Sequence, residues 1–354
     1  MGVNPRTDQR IHGGPDVLGV PLHDFSTNSN ACGPCPLALA AVQAADATRY
    51  PDASYAALRA ALAAFHAVAP WRIVLAGSAS EFIFRITAWA KAQGACTVSL
   101  PTHAYGDYAH AAQAWGLKAV STPDAADLVW ACEPSSPLGQ VHTHWPQWLV
   151  DSPTQSSPAL ESVERDSPRQ SIVASQLVLD CAYAPLRLGG IASLSGAQRD
   201  AVWQLFSPNK SLGLTGVRAA YAIAPLGADV AVHKLNAMAP SWVVGSHGVA
   251  LLMAWTQPQV QAWLVHSVVR LGQWKARQIE QLTALGWTCL PSEANYFCAR
   301  PPHGVDASQL CARLRQQGLK LRDATSFGLS GWVRLGVLPP AAQDALFSTL
   351  ETTA

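Results

Sequence analysis

Between residues 71 and 180, short apolar runs alternate with stretches of helical spacing, and this alternation constrains the fold more than any other feature of the chain. Strands are predicted over 72–75, 96–100, 118–120, 127–132 and 176–180. Helices are predicted between them over 81–92 and 108–115. The runs are apolar throughout rather than every second residue, the pattern of strands buried on both faces. Strand–helix alternation of this kind specifies an α/β domain with a mostly parallel sheet covered on both sides.

Two further apolar runs, 202–206 and 219–224, flank a polar loop and extend the same sheet. Ahead of the alternation, helical stretches cover about 37–49 and 53–65. Beyond it, a long helix is expected over about 259–285. The chain then reads strand (294–300), helix (307–316), strand (319–322), strand (332–337) and helix (341–350), a smaller α+β lobe. Residues 1–35 are rich in Gly, Pro and Asn, so they read as an extended arm that packs on this lobe. The expected organisation is therefore an arm (1–35), a large domain (36–264) and a small domain (265–354). Ser, Pro, Thr and Gln crowd residues 151–175, which predicts a surface excursion with some helix near 159–165. No internal repeats are found.

Composition narrows the function. A net charge of +1, with 13% charged residues in 354, lacks the basic surplus of a nucleic-acid binder and suggests a small-molecule site. No apolar run reaches membrane-spanning length and the first residues lack an apolar signal core, so a cytoplasmic location is expected. Six of the eight cysteines sit singly in apolar or mixed stretches, as small core residues do. Cys32-Gly33-Pro34-Cys35 spells a thioredoxin-like C-x-x-C, but Asn28-Ser29-Asn30-Ala31 before it reads as a turn, not a buried strand. No second Cys or His pair completes a four-ligand metal site.

The loop between the two late strands carries the chemistry: Ser207-Pro208-Asn209-Lys210-Ser211-Leu212-Gly213-Leu214-Thr215-Gly216-Val217-Arg218. A lysine held between buried strands is desolvated, and desolvation favours the free amine. A free amine forms a Schiff base with an aldehyde, and an arginine such as Arg218 grips a phosphate with two parallel hydrogen bonds. An aldehyde beside a phosphate describes pyridoxal 5′-phosphate (PLP).

Other segments fit the same cofactor. Gly77-Ser78-Ala79-Ser80-Glu81 joins a strand to a helix, so its N–H groups and the Ser80 hydroxyl can cradle a phosphate, although a serine N-cap explains the pattern as well. Tyr105 follows a strand, where its ring either stacks on a cofactor or fills core. Asp180 ends a strand at the sheet edge where α/β ligand sites form. A carboxylate there keeps a pyridine nitrogen protonated and the cofactor an electron sink. Tyr183, three residues on, can reach the phenolic oxygen. Arg334 is a charge in an apolar strand and needs an anion, either a substrate carboxylate or an internal partner.

Taken together, Lys210 within S-x-x-K-x-x-G-L-x-G-x-R, Asp180-Cys181-Ala182-Tyr183, Ala294-Asn295-Tyr296-Phe297 and Val333-Arg334 resemble the class I/II aminotransferases of the aspartate aminotransferase fold, in order and spacing over most of the chain. Three stretches resemble more narrowly the threonine-phosphate decarboxylases of cobalamin biosynthesis. These are His12-Gly13-Gly14, Asp24 to Asn30 followed by Gly33-Pro34, and Leu321 to Phe327. Histidinol-phosphate aminotransferases share the Gly33-Pro34 region and Arg334. In either alignment Gly33-Pro34 is a family turn, which removes most of the redox meaning of Cys32 and Cys35.

The resemblance implies a PLP-dependent transferase fold, and roles by position. Lys210 would form the Schiff base, Asp180 would meet the pyridine nitrogen, Tyr183 the phenolic oxygen, and Tyr105 would stack on the ring. Ser78, Ala79, Ser80, Ser207 and Arg218 would hold the cofactor phosphate. Arg334 would bind the substrate carboxylate, while Arg322, with His12 and Asn30 from the arm, would approach the substrate's phosphate end. It also implies a small phosphorylated amino acid as substrate and a homodimer. One departure stands out: the family's N-P-x-N-P-T-G-like run reads Glu133-Pro134-Ser135-Ser136-Pro137-Leu138-Gly139 here, so Ser136 replaces an asparagine that reaches the phenolic oxygen.

The expected activity is decarboxylation of L-threonine O-3-phosphate to (R)-1-amino-2-propanol O-2-phosphate. The alternative is an aminotransferase of the histidinol-phosphate type. A non-catalytic PLP-fold regulator is the third reading, disfavoured because about 35 arm residues leave no room for the DNA-binding domain such regulators carry ahead of the fold.

Overall fold

The computed structural model describes residues 12–151 and 175–353; the expected helix near 159–165 lies outside them. In chain order the elements begin with β1 (His23–Asp24), α1 (Pro36–Gln43), α2 (Ala56–His66), β2 (Ile73–Ala76), α3 (Ala79–Ala92), β3 (Thr97–Ser99), α4 (Gly106–Ala114), β4 (Lys118–Val120), β5 (Leu128–Cys132) and α5 (Gln147–Asp151). There follow β6 (Gln176–Asp180), α6 (Gly196–Asp200), β7 (Trp203–Phe206), β8 (Ala220–Ile223), α7 (Asp229–Ala237), α8 (Ser246–Trp255) and α9 (Pro258–Ala284). The last are β9 (Thr288–Cys289), β10 (Tyr296–Arg300), α10 (Ala307–Gln316), β11 (Leu319–Lys320), β12 (Arg322–Asp323), β13 (Val333–Gly336) and α11 (Pro340–Thr353).

Seven strands form one sheet in the order β2-β8-β7-β6-β5-β3-β4. It is parallel except at β8, which runs antiparallel to both β2 and β7. β2 and β8 are buried on both faces because period-two side chains feed two different clusters. Ile73, Leu75, Tyr221 and Ile223 enter one cluster, while Val74, Ala76, Ala220 and Ala222 enter another across the sheet. The C-terminal ends of the parallel strands therefore share one edge, and Asp180 and the Ser207–Arg218 loop both emerge there.

A four-stranded antiparallel sheet, β12-β13-β10-β9, forms beside the long helix α9. The expected strand 319–322 is two strands, divided at Leu321. β11 pairs in parallel with β1 from the arm, His23 opposite Leu319 and Asp24 opposite Lys320. β12 pairs with β13 and sets Arg322 directly opposite Arg334. Asp16 anchors the arm further through Arg315 and Lys320, each at 2.8 Å. The first helix stops at Gln43, well before the expected 49. Asp46 then turns the chain by accepting hydrogen bonds from the Thr48 N–H and hydroxyl. Four helices, α5 to α8, had no counterpart in the sequence reading.

Candidate functional site

A cavity of about 440 Å³ opens where the arm, the C-terminal sheet edge and the β12–β13 pair meet. Its floor is Asp180, 5% exposed. Oδ1 accepts from the Ala182 N–H at 2.8 Å and Oδ2 from the Tyr108 hydroxyl at 2.6 Å. Burial raises its pKa, while these two donors and the positive charge of Lys210 oppose that rise.

The Lys210 amine donates to Ser207 Oγ at 3.4 Å and lies 5.6 Å from the centre of the Tyr183 ring. The arm braces its loop from behind. Asn30 N–H donates to Lys210 O, Asn30 Nδ2 to Ser211 O, and Cys35 N–H to Leu212 O, all at 2.8–2.9 Å. Gly213, at φ +69°, is required there: a Cβ would lie 3.0 Å from Pro34 Cα in a backbone conformation that disfavours side chains. The same contacts correct one expectation. Asn30 does not face the cavity, because its amide is spent on Ser211 O and its Oδ1 on the Cys32 N–H. Cys32 and Cys35 are both free thiols in this brace, Cys35 fully buried.

On the opposite wall, Ser78 caps α3 by accepting the Glu81 N–H at 3.0 Å, so its hydroxyl already has a partner. The N–H groups of Ala79 and Ser80 open the helix and face the cavity, as first-turn donors lack intrahelical acceptors. The Ser80 and Tyr105 hydroxyls are 3.2 Å apart, and burial pushes the Tyr105 phenol up. Arg218 lines the rim and is exposed.

The far end carries two buried arginines. Arg322 donates to Asp323 O and Ser326 Oγ, each at 2.6 Å; Arg334 donates to Ser26 O at 2.8 Å and lies 3.5 Å from Ser136 Oγ. Both lie over the Phe327 ring, at 4.7 and 5.4 Å from its centre. Arg322 falls to about 10, first because it is buried and then because Arg334 stands beside it. His12 also lines the cavity, its ring 6.4 Å from that of Tyr105. Its approach relies on Gly13, where a Cβ would lie 2.2 Å from Ser26 O.

Thirteen of the fourteen residues singled out from the sequence therefore line one cavity; Asn30 does not. Ser136 does line it, but its hydroxyl is turned toward Arg334. Asn28, Tyr108 and Phe327 were missed as functional candidates. Asn28 Nδ2 donates to the Tyr183 hydroxyl at 3.4 Å and its Oδ1 is buried without a partner. Its signal was the first asparagine in Ser26-Thr27-Asn28-Ser29-Asn30. Among the described residues, no group of three or more His, Cys, Asp or Glu is disposed to hold a metal ion, and no helix is long and apolar enough to cross a membrane.

Residues 21–350 match the family model for aminotransferase class I and II. The chain belongs to that family. It is 28% identical over 340 residues to histidinol-phosphate aminotransferase 2 of Rhizobium meliloti (strain 1021), covering 93% of this chain and 92% of that protein. The solved histidinol-phosphate aminotransferase of Sinorhizobium meliloti in complex with pyridoxal-5′-phosphate superposes with a TM-score of 0.74 at 20% identity, over 93% of this chain and 90% of that one. The L-threonine-O-3-phosphate decarboxylase of Porphyromonas gingivalis superposes with a TM-score of 0.63 at 21% identity, over 89% and 92%. At these identities the structural likeness speaks for the fold alone.

The chain is thus a PLP-dependent enzyme of the aminotransferase fold, and its cofactor is PLP. The cavity fits that group. The Oδ1 atoms of Asn28 and Asn209 and the Nε of Arg334 are buried without partners in residues that line the same space, polar atoms that a polar group bound there would satisfy.

Proposed function

We propose that this enzyme decarboxylates L-threonine O-3-phosphate to (R)-1-amino-2-propanol O-2-phosphate. The observation that carries the reading is the pairing of Arg322 and Arg334 on directly opposed strand positions, over one Phe327 ring. Two buried cations side by side call for two anionic groups close together in one ligand. A carboxylate and a phosphate on adjacent carbons of one substrate meet that demand; histidinol phosphate carries no carboxylate, and an aminotransferase of that type meets a carboxylate only in its separate 2-oxo acid partner.

Bound PLP supplies an electron sink for a bond broken at the substrate's Cα. Lys210 holds the cofactor aldehyde, Asp180 its ring nitrogen and Tyr183 its phenolic oxygen. Tyr105 lies against the ring, and the first turn of α3 with Ser207 and Arg218 takes the phosphate. Arg334 binds the substrate carboxylate, and Arg322 with His12 the substrate phosphate. Once the substrate amine has displaced it from the aldehyde, the Lys210 amine would carry the proton that the substrate ammonium gives up and would be placed to return it to Cα in place of the departed carbon dioxide. By gripping the carboxylate and the phosphate, the two arginines would orient the substrate's Cα and so decide which of its bonds breaks.

A second reading, transamination of the histidinol-phosphate type, is favoured by the names of the curated relatives. The PLP-loaded protein incubated with O-phosphothreonine separates the two. Carbon dioxide release without a 2-oxo acid supports the decarboxylase. Amino transfer that requires the 2-oxo acid, without carbon dioxide, replaces it by the second reading.

A further inference from the structure

Asp180 sits at the cavity floor with Tyr108, Cys132, Cys181 and Lys210 as the ionisable groups facing it, from α4, β5, β6 and the Lys210 loop. Tyr108 alone among them presents a short, directed hydrogen bond, 2.6 Å from Oδ2. Its ring is fully buried and stacked on Trp130, 4.5 Å away at 9°, and meets Tyr105 edge-on at 5.8 Å. Burial and the Asp180 charge push the phenol up, so it keeps its proton and can only donate toward the carboxylate.

The geometry points to Tyr108 as a positioning residue: its hydroxyl fixes the Asp180 carboxylate in place, as an anion aimed at the cofactor ring, and thereby sets how strongly the ring nitrogen is protonated. The inference rests on the placement of Asp180 at that nitrogen. A buried carboxylate with one N–H donor to one oxygen is free to swing about its Cβ–Cγ bond. A second donor on the other oxygen, supplied by a phenol wedged between two rings, removes that freedom and lowers the cost of the charge. Tyr105, the residue before α4, and Tyr108 in its first turn bring both rings to the cavity.

The test is a pH titration of the visible absorption band of the Lys210-bound cofactor, with the PLP dissociation constant, in holoenzyme variants. Tyr108→Phe keeps the ring stack and deletes the donor, so the midpoint of the band is expected to rise by about one pH unit and PLP to bind more weakly. Tyr108→3-fluorotyrosine keeps the hydroxyl, makes it a stronger donor and moves the midpoint the other way. Trp130→Phe thins the stack and lowers thermal stability without moving the midpoint, which a purely structural role of Tyr108 would also do. Asp180→Asn controls for the premise. If it leaves the midpoint in place, the placement of Asp180 fails and the inference with it. If it shifts the midpoint while neither Tyr108 variant does, the placement stands and the role of Tyr108 is refuted.

Discussion

Lys275 offers a test of how the site is held together. This α9 residue is 7% exposed, and its amine donates to Ser292 O at 2.5 Å and Ala294 O at 2.7 Å. The segment it grips is a junction. Glu293 pairs with Arg187, which pairs with Glu133 at 2.7 Å, and the Glu293 N–H donates to Gly139 O. Asn295 donates to Ser29 O at 3.0 Å, beside Asn28 in the cavity wall. Burial holds Lys275 down from 10.5 to about 8, with Glu293 pulling the other way.

The sign follows from linkage. The folded-state value is the lower one, so between pH 8 and 10.5 the unfolded chain binds more protons, and stability rises with pH across that window. At about 1.4 kcal/mol per unit, the gain approaches ~3 kcal/mol. Lys275→Met removes the titration and leaves two carbonyls without donors, at a cost of about 1–3 kcal/mol each. Urea unfolding of the apo protein at pH 7, 8, 9 and 10 measures both effects. The gap between wild type and variant is expected to widen steadily above pH 8, because the other titrating groups are common to both chains. A gap that stays constant, to about half a kcal/mol, refutes the reasoning.

Two further outcomes follow from the arginine pair and its surroundings. Arg334→Gln and Arg322→Gln should each raise KM for O-phosphothreonine about 100-fold, since truncating one member of a buried charge pair costs about 2–5 kcal/mol. Steady-state kinetics with O-phosphothreonine and unphosphorylated threonine should show the Arg322 penalty only for the former; equal penalties would place Arg322 away from the phosphate. Asn30→Ala should lower stability and kcat through the Lys210 loop while leaving KM for the phosphorylated substrate within about threefold. This follows because its amide braces Ser211 and Cys32 at a typical worth of about 1 kcal/mol per bond. A rise in KM with unchanged stability would return Asn30 to the substrate.

What the sequence disclosed depended on how local each signal was. The buried strands announced themselves as unbroken apolar runs, and α9 matched its expected span to within one residue at each end. α8 stayed hidden because Ser-His-Gly-Val-Ala-Leu-Leu-Met-Ala-Trp is apolar almost all round, leaving no stripe for a periodicity to detect. The break between β11 and β12 was invisible for a different reason. β11 is a strand only because His23 and Asp24 from the distant arm lie beside it, and a partner so remote leaves no mark on residues 319–322 themselves.

The site divides in the same way. Lys210, Asp180 and Arg334 were legible because each is a charge in or beside an apolar strand, a placement that demands a partner whatever the loops do. Asn28 and Asn30 are chemically identical and two residues apart, and only the brace between the arm and residues 210–212 decides between them. It takes both ends of the Asn30 amide and leaves Asn28 with one oxygen unpaired in the cavity wall. Ser136 is turned to Arg334 and Asn28 to Tyr183, so of the two it is Asn28 that supplies a hydrogen bond to the Tyr183 hydroxyl. The expected weakening of cofactor contacts by Ser136 then has its counterweight in the arm. The double variant Ser136→Asn/Asn28→Ser should accordingly bind PLP more nearly like wild type than either single change. Equal, additive losses would show the two positions to be independent.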